Sequence, residues 1–387
     1  MTRKVAIFMN QHLPLSEVFI YHQAQSLRRF TPTFVACRQV RPSVEHSIPT
    51  HILNTQNSLP EKISETLFKL SGHSPFLKQH IQGHDIIHAH FGPTGWLAAP
   101  LAKQTKTLLV VTLHGFDVLK NKDQITLQDD GIMQVLYKQF LSRLTNQASQ
   151  FICVSEYLKK RAIEFGFPEE KCVVNYMGIP LTPFTEPKIL RTDKSSPFRI
   201  LSVGRLVPMK GHQMLIEAVA AVQQAGYNVQ LDIVGAGPLR EALEKQASNS
   251  LKNFKFWGGQ PHTQILSLMR QSDIFAHLSH QTSNGYNEAF GLAVIEAQWA
   301  GLPVVAFRSG GVPEGIAENQ TGILCPENDV QAVRNAICDL IDNDQKRNEM
   351  SSAAPYFIQN AFDSANLTDR LEGIYDQTIL KFPNRRL

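Results

Sequence analysis

The sequence has few cysteines and no long apolar segment. Its five cysteines are an odd number without a CxxC pair, which argues against a disulfide scaffold or a zinc site and for free thiols in a reducing compartment. No run approaches the ~18 apolar residues that cross a bilayer. The apolar run Val5–Met9 is too short for the core of a signal peptide. We therefore expect a cytosolic protein.

The net charge is also low. Lys and Arg number 38 and Asp and Glu 34, which leaves a formal charge of +4, too little to indicate nucleic-acid binding. The excess lies in residues 1–186, where 19 basic residues face 14 acidic ones. Two interpretations stay open: a peripheral contact with anionic lipid or an anionic acceptor at the inner face of the cell membrane, or an ordinary solvated face.

The length and the hydrophobic pattern predict two domains. A chain of 387 residues exceeds what one hydrophobic core supports. Buried-strand patterns such as Leu108–Leu113 and Ile274–His277 alternate with helical ones such as Leu136–Gln147, which predicts parallel sheets with helices on both faces. We predict an N-terminal Rossmann-like domain over 1–180, a proline-containing linker over 181–197, and a C-terminal Rossmann-like domain over 198–361. A last helix within 362–387 is expected to pack back on the first domain.

A basic motif follows the first strand of the second domain. That strand ends at Gly204, so Arg205 emerges at its carboxyl end, the edge of a parallel sheet where ligands bind. Lys210 follows just before a helix that begins near His212. A guanidinium, an ammonium and the free amides of a helix N-terminus suit a diphosphate. An ordinary solvated loop fits the same spacing.

Two carboxylates mark a second motif. Glu288 lies in a predicted loop, and Glu296 lies eight residues on in an apolar helix. Burying an unpaired carboxylate is costly, so Glu296 is expected to face a polar ligand or a cation. The segment Phe290–Leu292 lies at the start of this helix, where free N–H groups favour phosphate. The two carboxylates are placed to bracket a sugar and a ribose.

Five ordered motifs together resemble glycosyltransferase family 4, whose members are retaining enzymes of the GT-B fold. Three first-half motifs are familiar from the same family, and Pro14–Ile20 resembles the start of its exopolysaccharide (colanic-acid-type) members. The five are Gly204-Arg205 with Lys210-Gly211, Val234–Pro238, Glu288-x7-Glu296, Gly301–Val305 and Gly310–Glu314; the three are His88–Gly92, His114–Asp117 and Cys153–Glu156.

The resemblance implies an α/β protein with two doubly wound Rossmann-like domains facing across a cleft. It also implies a hexosyltransferase that moves a sugar from a UDP- or GDP-sugar to a hydroxyl of a glycan or lipid-linked glycan in polysaccharide biosynthesis. No cofactor and no metal are expected. A nucleotide-sugar epimerase, a glycan phosphorylase and a catalytically silent scaffold of a polysaccharide assembly complex remain as alternatives.

The resemblance also implies roles for individual residues. Arg205 and Lys210 would hold the donor diphosphate, Glu288 the donor sugar and Glu296 the ribose. His114 would lie near the reacting sugar, although a satisfied strand-end histidine is the alternative. The predicted catalytic residues are thus Arg205, Lys210, Glu288 and His114; the donor-binding residues are Gly204, Gly235, Gly259, Phe290, Gly291, Leu292 and Glu296; and the acceptor-side residues are His12, His90 and Asp117.

Several signals allow more than one interpretation. Asp117 fits a helix-capping role as well as an acceptor role, and Asn10–Pro14 lacks the Gly-Gly turn that many family members carry after the first strand. His88 and His90 share one face of a strand, so zinc is conceivable without an evident fourth ligand. Asp342-Asn343-Asp344 matches a metal-binding pattern, but a helix cap or solvated turn fits it better. The turn Trp257–Gln260 is expected to contact the donor base.

Overall fold

The computed structural model of the protein describes residues 3–14, 17–40, 45–120, 122–181 and 195–383. The chain forms two compact units. The first consists of Met1–Tyr176 together with Ser364–Leu387, and the second of Met177–Asp363. The predicted boundaries lay at residues 180 and 362. Most of the predicted linker, residues 182–194, lies outside the described residues.

The first unit is built on a seven-stranded parallel sheet with the strand order β3-β2-β1-β4-β5-β6-β7. Ile7 in the middle strand pairs with Phe34 on one side and His88 on the other. The first strand is longer than the predicted Val5–Met9 because Gln11 continues the ladder with β2. The strands are β1 Arg3–His12, β2 Phe30–Gln39, β3 Thr50–Asn54, β4 Ile86–His90, β5 Leu108–Leu113, β6 Gln150–Cys153 and β7 Cys172–Val174.

Helices connect these strands and cover the sheet. The predicted single helix Leu136–Gln147 is wrong, because the chain breaks at Phe140 and forms two helices. The helices are α1 Val18–Gln25, α2 Leu59–Ser71, α3 Pro75–Ile81, α4 Gly92–Thr105, α5 Leu127–Gln139 with a kink at Gly131, α6 Leu141–Gln147 and α7 Glu156–Phe165.

The second unit has a six-stranded sheet in the order β10-β9-β8-β11-β12-β13. Its pairs are all parallel, and one buried apolar cluster lies on each face. The strands are β8 Phe198–Val203, β9 Val229–Val234, β10 Phe254–Gly258, β11 Ile274–His277, β12 Val304–Phe307 and β13 Gly322–Cys325; the helices are α8 His212–Gln224, α9 Arg240–Ser250, α10 His262–Gln271, α11 Leu292–Trp299, α12 Val330–Asp342 and α13 Asp344–Ala361. The predicted parallel α/β architecture is confirmed for both units.

The last helix, α14 Ser364–Lys381, belongs to the first unit although it follows the second in sequence. Its Tyr375 hydroxyl lies 2.6 Å from Nδ1 of His88, inside the sheet core. The Glu372 carboxylate accepts hydrogen bonds from three consecutive backbone amides that end at Phe30. These contacts fix α14 against the start of β2.

All five cysteines are buried and unbridged. Among the described residues, no helix has both the length and the apolar character needed to span a bilayer.

Candidate functional site

In the second unit, three loops are hydrogen-bonded to one another at the carboxyl ends of β8, β9 and β10. The Gly204 amide donates to the Val234 carbonyl at 3.0 Å, and the Gly235 amide donates to the Gly258 carbonyl at 2.9 Å. A Cβ on Gly235 would lie 1.9 Å from the Gly204 carbonyl oxygen, so only glycine allows these loops to approach so closely. Backbone is thereby gathered at the sheet edge where ligands bind in such folds.

Lys210 and Glu288 form an ion pair at this edge. Lys210 ends a short 3-10 helix before α8, and its aliphatic stem passes over Gly204. Ser279 donates a hydrogen bond of 3.0 Å to Oε2 of Glu288, and Nε2 of His277 lies 3.4 Å from the same oxygen. The sequence motifs did not single out Ser279 or His277, although both lie at the end of β11, where ligand-binding residues are expected.

The ionisation of Glu288 follows from these partners. Burial opposes the charged carboxylate, but the charge of Lys210 and the contact with His277 outweigh burial and hold the pKa of Glu288 well below its usual range. The site therefore contains a fixed ammonium–carboxylate pair at neutral pH. Such a pair is preorganised for ligand groups that carry charge or many hydroxyls.

A neighbouring loop positions Glu288. Its carbonyl accepts a hydrogen bond of 2.9 Å from the Gly311 amide, and its amide donates to the Asn287 side chain at 2.7 Å. Ser309 donates to that same side-chain oxygen at 3.0 Å. Gly310 has a φ of 57°, and a Cβ there would lie 2.2 Å from the Glu288 carbonyl oxygen. The Gly310-Gly311 motif therefore serves to seat Glu288.

Glu296 lies elsewhere on the same segment. Helix α11 begins at Leu292 after Gly291, and Phe290 is buried beside this start. Oε1 of Glu296 lies 2.9 Å from Nε2 of His262 on α10. That hydrogen bond raises the pKa of His262. The structure thus gives Glu288 and Glu296 different partners, and the sequence did not single out His262.

The remaining donor-side predictions concern Arg205, Gly259 and Trp257. The Arg205 side chain is exposed and has no ion pair within the described part of the chain. A Cβ on Gly259 would meet no heavy atom within 4 Å. The indole of Trp257 instead donates to Asp232 at 2.9 Å, within the unit.

Two predicted histidines of the first unit form a pair at the ends of β4 and β5. Nδ1 of His90 lies 3.0 Å from Nε2 of His114, and the rings of Phe19 and Phe91 flank His114. Burial lowers the pKa of His114 to about 3 and that of His90 well below its usual value. Both rings are therefore neutral near pH 7.

His88, two residues before His90, has a different role. Its Nε2 lies 2.7 Å from the Thr112 hydroxyl, and its Nδ1 bonds to Tyr375. Both nitrogens are thus used inside the core. Within the described residues, no group of three or more histidine, cysteine or acidic side chains is arranged to hold a metal ion.

Asp117 is fully buried, and both its oxygens accept hydrogen bonds from backbone amides. Oδ1 accepts from Gly92, the first residue of α4, at 2.6 Å. Oδ2 accepts from His114 at 2.7 Å and Gly115 at 3.2 Å. Burial raises the pKa of Asp117 to about 6 in spite of these bonds. Asp117 therefore has the contacts of a helix cap, which was the alternative to an acceptor role. The same contacts position the backbone of His114.

A cavity of about 380 Å³ lies beside His90 within the first unit. Asn10 Oδ1, His90 Nε2 and Gln134 Oε1 are buried and have no hydrogen-bond partner in the described structure. Burial raises the pKa of Glu17 to about 7. The cavity is lined by Met9, Asn10, Gln11, Glu17, His90, Phe91, Pro93, Thr94, Phe116, Met133 and Gln134.

Of these lining residues, only His90 is predicted from the sequence as a site residue. Asn10, Glu17 and Gln134 are not, although Asn10 follows the first apolar run and Glu17 lies in the Pro14–Ile20 motif. His12, by contrast, is not among the lining residues: its Nε2 lies 3.0 Å from Nε2 of His46, and burial lowers its pKa to about 4.

The Asp-Asn-Asp segment of the second unit has structural contacts. Asn343 caps α13 by accepting from the Lys346 amide at 2.9 Å, and Asp342 accepts from the Tyr227 hydroxyl at 2.6 Å. Asp344 pairs with Arg347. The expected helix cap is present.

Two family models match most of the chain. The model for glycosyltransferase family 4 matches residues 16–182, and the model for glycosyl transferases group 1 matches residues 186–356.

Named relatives agree with these matches. The amylovoran biosynthesis glycosyltransferase AmsK of Erwinia amylovora is 34% identical over 64% of this chain, and the chain spans 59% of AmsK's own length. A GDP-mannose-dependent alpha-(1-6)-phosphatidylinositol monomannoside mannosyltransferase of Mycolicibacterium smegmatis is 29% identical over 77% of this chain and 79% of its own.

A solved structure shares the fold. Anabaena Alr3699/HepE, crystallised with UDP and glucose, superposes with a TM-score of 0.75 at 21% identity, over 97% of this chain and 100% of its own.

Proposed function

Because this chain belongs to the glycosyltransferases, with a family 4 domain followed by a group 1 domain, we propose that it is a retaining hexosyltransferase of polysaccharide biosynthesis. It moves a sugar from a nucleoside diphosphate sugar to a hydroxyl of a glycan or lipid-linked glycan. The observation that carries the proposal is the largely buried Lys210–Glu288 ion pair, which links the loop after β8 to the loop after β11. The names of the relatives, which specify amylovoran biosynthesis and GDP-mannose, support the class of donor and product.

The Lys210 ammonium is the main charge for the departing diphosphate. A sugar leaves a nucleoside diphosphate with growing negative charge on the phosphate oxygens, and a preorganised cation lowers the barrier as that charge develops. Arg205 is exposed and without an ion pair within the described residues, so its guanidinium is available to the same diphosphate. The amides at the start of α11 add a helix N-terminus.

Glu288 and Glu296 bind neutral parts of the donor in this proposal. Glu288 is ionised because of Lys210 and His277, and a carboxylate accepts hydrogen bonds from sugar hydroxyls. Glu296 would exchange its contact with His262 for the ribose hydroxyls. We propose that the reaction needs no divalent metal, with these cations and helix amides taking that role.

The cavity of the first unit is the proposed acceptor site. Its unpartnered Asn10, His90 and Gln134 atoms are polar and uncharged, which suits a ligand rich in hydroxyls. The neutral ring of His114 holds the His90 ring in place through the contact between their ring nitrogens. A glycan hydroxyl bound here would satisfy groups that the protein leaves without partners.

The first test is calorimetric titration of the purified chain with UDP, GDP and ADP in EDTA. We expect one nucleotide to bind and thereby to identify the donor class. Binding that appears only after magnesium or manganese is added would contradict the proposal that the reaction needs no divalent metal. The absence of binding under all conditions would favour the alternative that the chain is a catalytically silent scaffold.

A product assay separates the remaining alternatives. With the matching nucleotide sugar, a transferase consumes donor in proportion to acceptor and keeps the anomeric configuration. An epimerase converts the donor without an acceptor, and a phosphorylase requires inorganic phosphate. Either of these two results would contradict the proposed transfer.

A further inference from the structure

The cavity of the first unit presents acceptor oxygens to a ligand. Asn10 Oδ1 and Gln134 Oε1 are buried and have no hydrogen-bond partner in the described structure, and an amide oxygen accepts hydrogen bonds but cannot donate them. Glu17 adds a carboxyl group to the same lining, and its side chain makes no hydrogen bond or ion pair within the described residues. A ligand must therefore donate hydrogen bonds to pair with these atoms.

The cavity also offers no counter-charge to an anion. Neither lysine nor arginine occurs among the described residues that line it. The two lining residues that could titrate near neutral pH are His90 and Glu17. His90 and its neighbour His114 are neutral near pH 7. Burial raises the pKa of Glu17 to about 7, and no described basic side chain lowers it again. An anion bound here would lose its hydration without gaining a cationic partner.

The size and the apolar lining of the cavity suit a single sugar unit. Its volume of about 380 Å³ lies near the lower end of the ~300–1,000 Å³ of small-molecule sites. Phe91 and Phe116 contribute to the lining beside the polar atoms. Aromatic groups combined with a few polar ones suit a ring that carries hydroxyls at its edge.

We propose that the cavity binds an uncharged sugar unit and that Glu17 is the residue that excludes acidic sugars such as uronates and sugar phosphates. The inference rests on the proposed function, because it specifies the acceptor of the cavity assigned there. A sugar hydroxyl can donate to Glu17, Asn10 or Gln134, whereas a carboxylate or phosphate group that is fully ionised can only accept. Glu17 is thereby a specificity-determining residue and not a catalytic one.

A hexose and its uronate form a matched pair of probes. They differ in one substituent, which is a hydroxymethyl group in the hexose and a carboxylate in the uronate. At pH 8 the Glu17 carboxyl, whose pKa is about 7, is mostly ionised. Two carboxylates in one partly buried cavity repel each other, and this repulsion is absent with the hexose.

The test is ligand-observed NMR titration of the full chain at pH 8, with and without the nucleotide that calorimetry identifies. The probes are methyl glucoside with methyl glucuronide, and the corresponding galactose and mannose pairs. We expect a neutral glycoside to bind about tenfold or more tightly than its uronate partner. In Glu17→Gln this ratio should fall to about threefold, because glutamine keeps the size and an acceptor oxygen but removes the charge.

Glu164→Gln is the matched control. Glu164 lies on α7 of the same unit, pairs with Arg161 at 2.6 Å and is not among the lining residues. Its ratio should equal that of the unaltered chain. Glu17 precedes α1 without capping the helix through its side chain, so Glu17→Gln removes no cap. Circular dichroism on each variant checks that the fold is retained.

Three results would overturn the proposal. They are uronate binding as tight as that of the neutral partner, an unchanged ratio in Glu17→Gln, and the absence of binding by every neutral glycoside. Tighter binding of methyl glucosaminide than of methyl glucoside, lost in Glu17→Gln, would instead assign the cavity to a cationic sugar.

Nucleotide titration of the unaltered chain without sugar separates this inference from the proposed function. The Lys210–Glu288 pair belongs to the second unit and the cavity to the first, so the two measurements report on different residues. Discrimination between the sugars without nucleotide binding would leave the specificity of the cavity standing and remove the proposed function. Nucleotide binding together with transfer to a uronate would do the opposite.

Discussion

Both units place polar side chains at the carboxyl ends of their sheets. The contrast between the two sets is that one is charged and the other presents uncharged atoms. In the second unit, Lys210 and Glu288 are both charged and are paired with each other. In the first unit, Asn10, His90 and Gln134 present uncharged polar atoms without partners. The same sheet architecture thus supports a charged site and a site whose unpartnered polar atoms are uncharged, which we call the neutral site.

The difference follows from what surrounds each site. The second unit places a cation beside its largely buried carboxylate, so the Glu288 carboxylate stays ionised. The first unit places no such cation among the described residues that line the cavity, so burial shifts His90 and Glu17 toward their neutral forms. A charged site suits the diphosphate of a donor, and a neutral site suits the hydroxyls of an acceptor.

Removal of the charge in the second unit should have the largest effect on catalysis. We predict that Lys210→Ala lowers turnover by about tenfold or more, because the departing diphosphate loses a charge-assisted contact. Steady-state kinetics with the identified donor measure the change. Lys252→Ala, at an exposed position in the same unit, is the control. Unchanged kinetics in Lys210→Ala would remove Lys210 from the site.

The neutral site should depend on Asp117 for its geometry. Asp117→Ala leaves the amides of Gly92, His114 and Gly115 without their acceptor. Buried amides without partners cost about 1 kcal/mol or more each, so the free energy of unfolding should fall by about 3 kcal/mol. Urea unfolding measures the loss, and faster hydrogen exchange at these three amides localises it.

Asp123→Ala replaces an exposed aspartate of the same unit and should leave both measurements unchanged. Equal stability of the Asp117 and Asp123 variants would mean that the three amides find water or other acceptors. The capping role of Asp117 would then be wrong.

Continuous apolar runs made much of the fold predictable. Leu108–Leu113 and Ile274–His277 have the predicted bounds because each run is buried along its full length. Strand β3, Thr50–Asn54, was missed because only its last residue is buried. The break at Phe140 was missed because helical periodicity continues across it. A pattern of apolar residues therefore locates the core but not edge strands or breaks between helices.

Site residues could be predicted from the sequence only where the residue type is unusual for its surroundings. Lys210 and Glu288 stand out as charged residues beside buried strands, and the structure pairs them. The resemblance predicts His12 as an acceptor-side residue, yet its side chain contacts His46 and does not line the cavity. Glu17 gave no such signal, because burial raises its pKa and the cavity that it lines is formed with residues distant in sequence, such as His90 and Phe116. Spatial neighbours of this kind cannot be inferred from spacing.

Glu17 offers a smaller test of the neutral site. Its pKa in the folded protein is about 7, above the 4.5 of an unperturbed glutamate. The stability that protonated Glu17 contributes is therefore complete below pH 4.5 and is lost as the pH rises through 7. After allowance for solvent screening, Glu17→Gln should raise stability by roughly 1 kcal/mol at pH 8. At pH 5 it should change little.

Thermal unfolding of both proteins at the two pH values measures this difference as a change in Tm. Glu164→Gln is the control, since Glu164 pairs with Arg161 at 2.6 Å on the surface of the same unit. If Glu17→Gln raises the Tm equally at pH 8 and at pH 5, the stabilisation does not come from removing the ionisation of Glu17. The neutral character of the cavity would then need another cause.

The smallest expected effect concerns the edge of the charged site. The hydrogen bond to Glu296 raises the pKa of His262, so the pair is complete below pH 6.5 and is lost as the pH rises through the raised pKa. If Glu296 binds the donor ribose, protonated His262 competes with it, and nucleotide affinity should increase with pH across this range. An exposed ion pair contributes ~0.7 kcal/mol, so His262→Ala should strengthen nucleotide binding about threefold at pH 6 and remove the pH dependence. Calorimetric titration at pH 6 and pH 8 measures both changes, and an affinity of the unaltered chain that does not vary with pH would show that Glu296 lies outside the donor site.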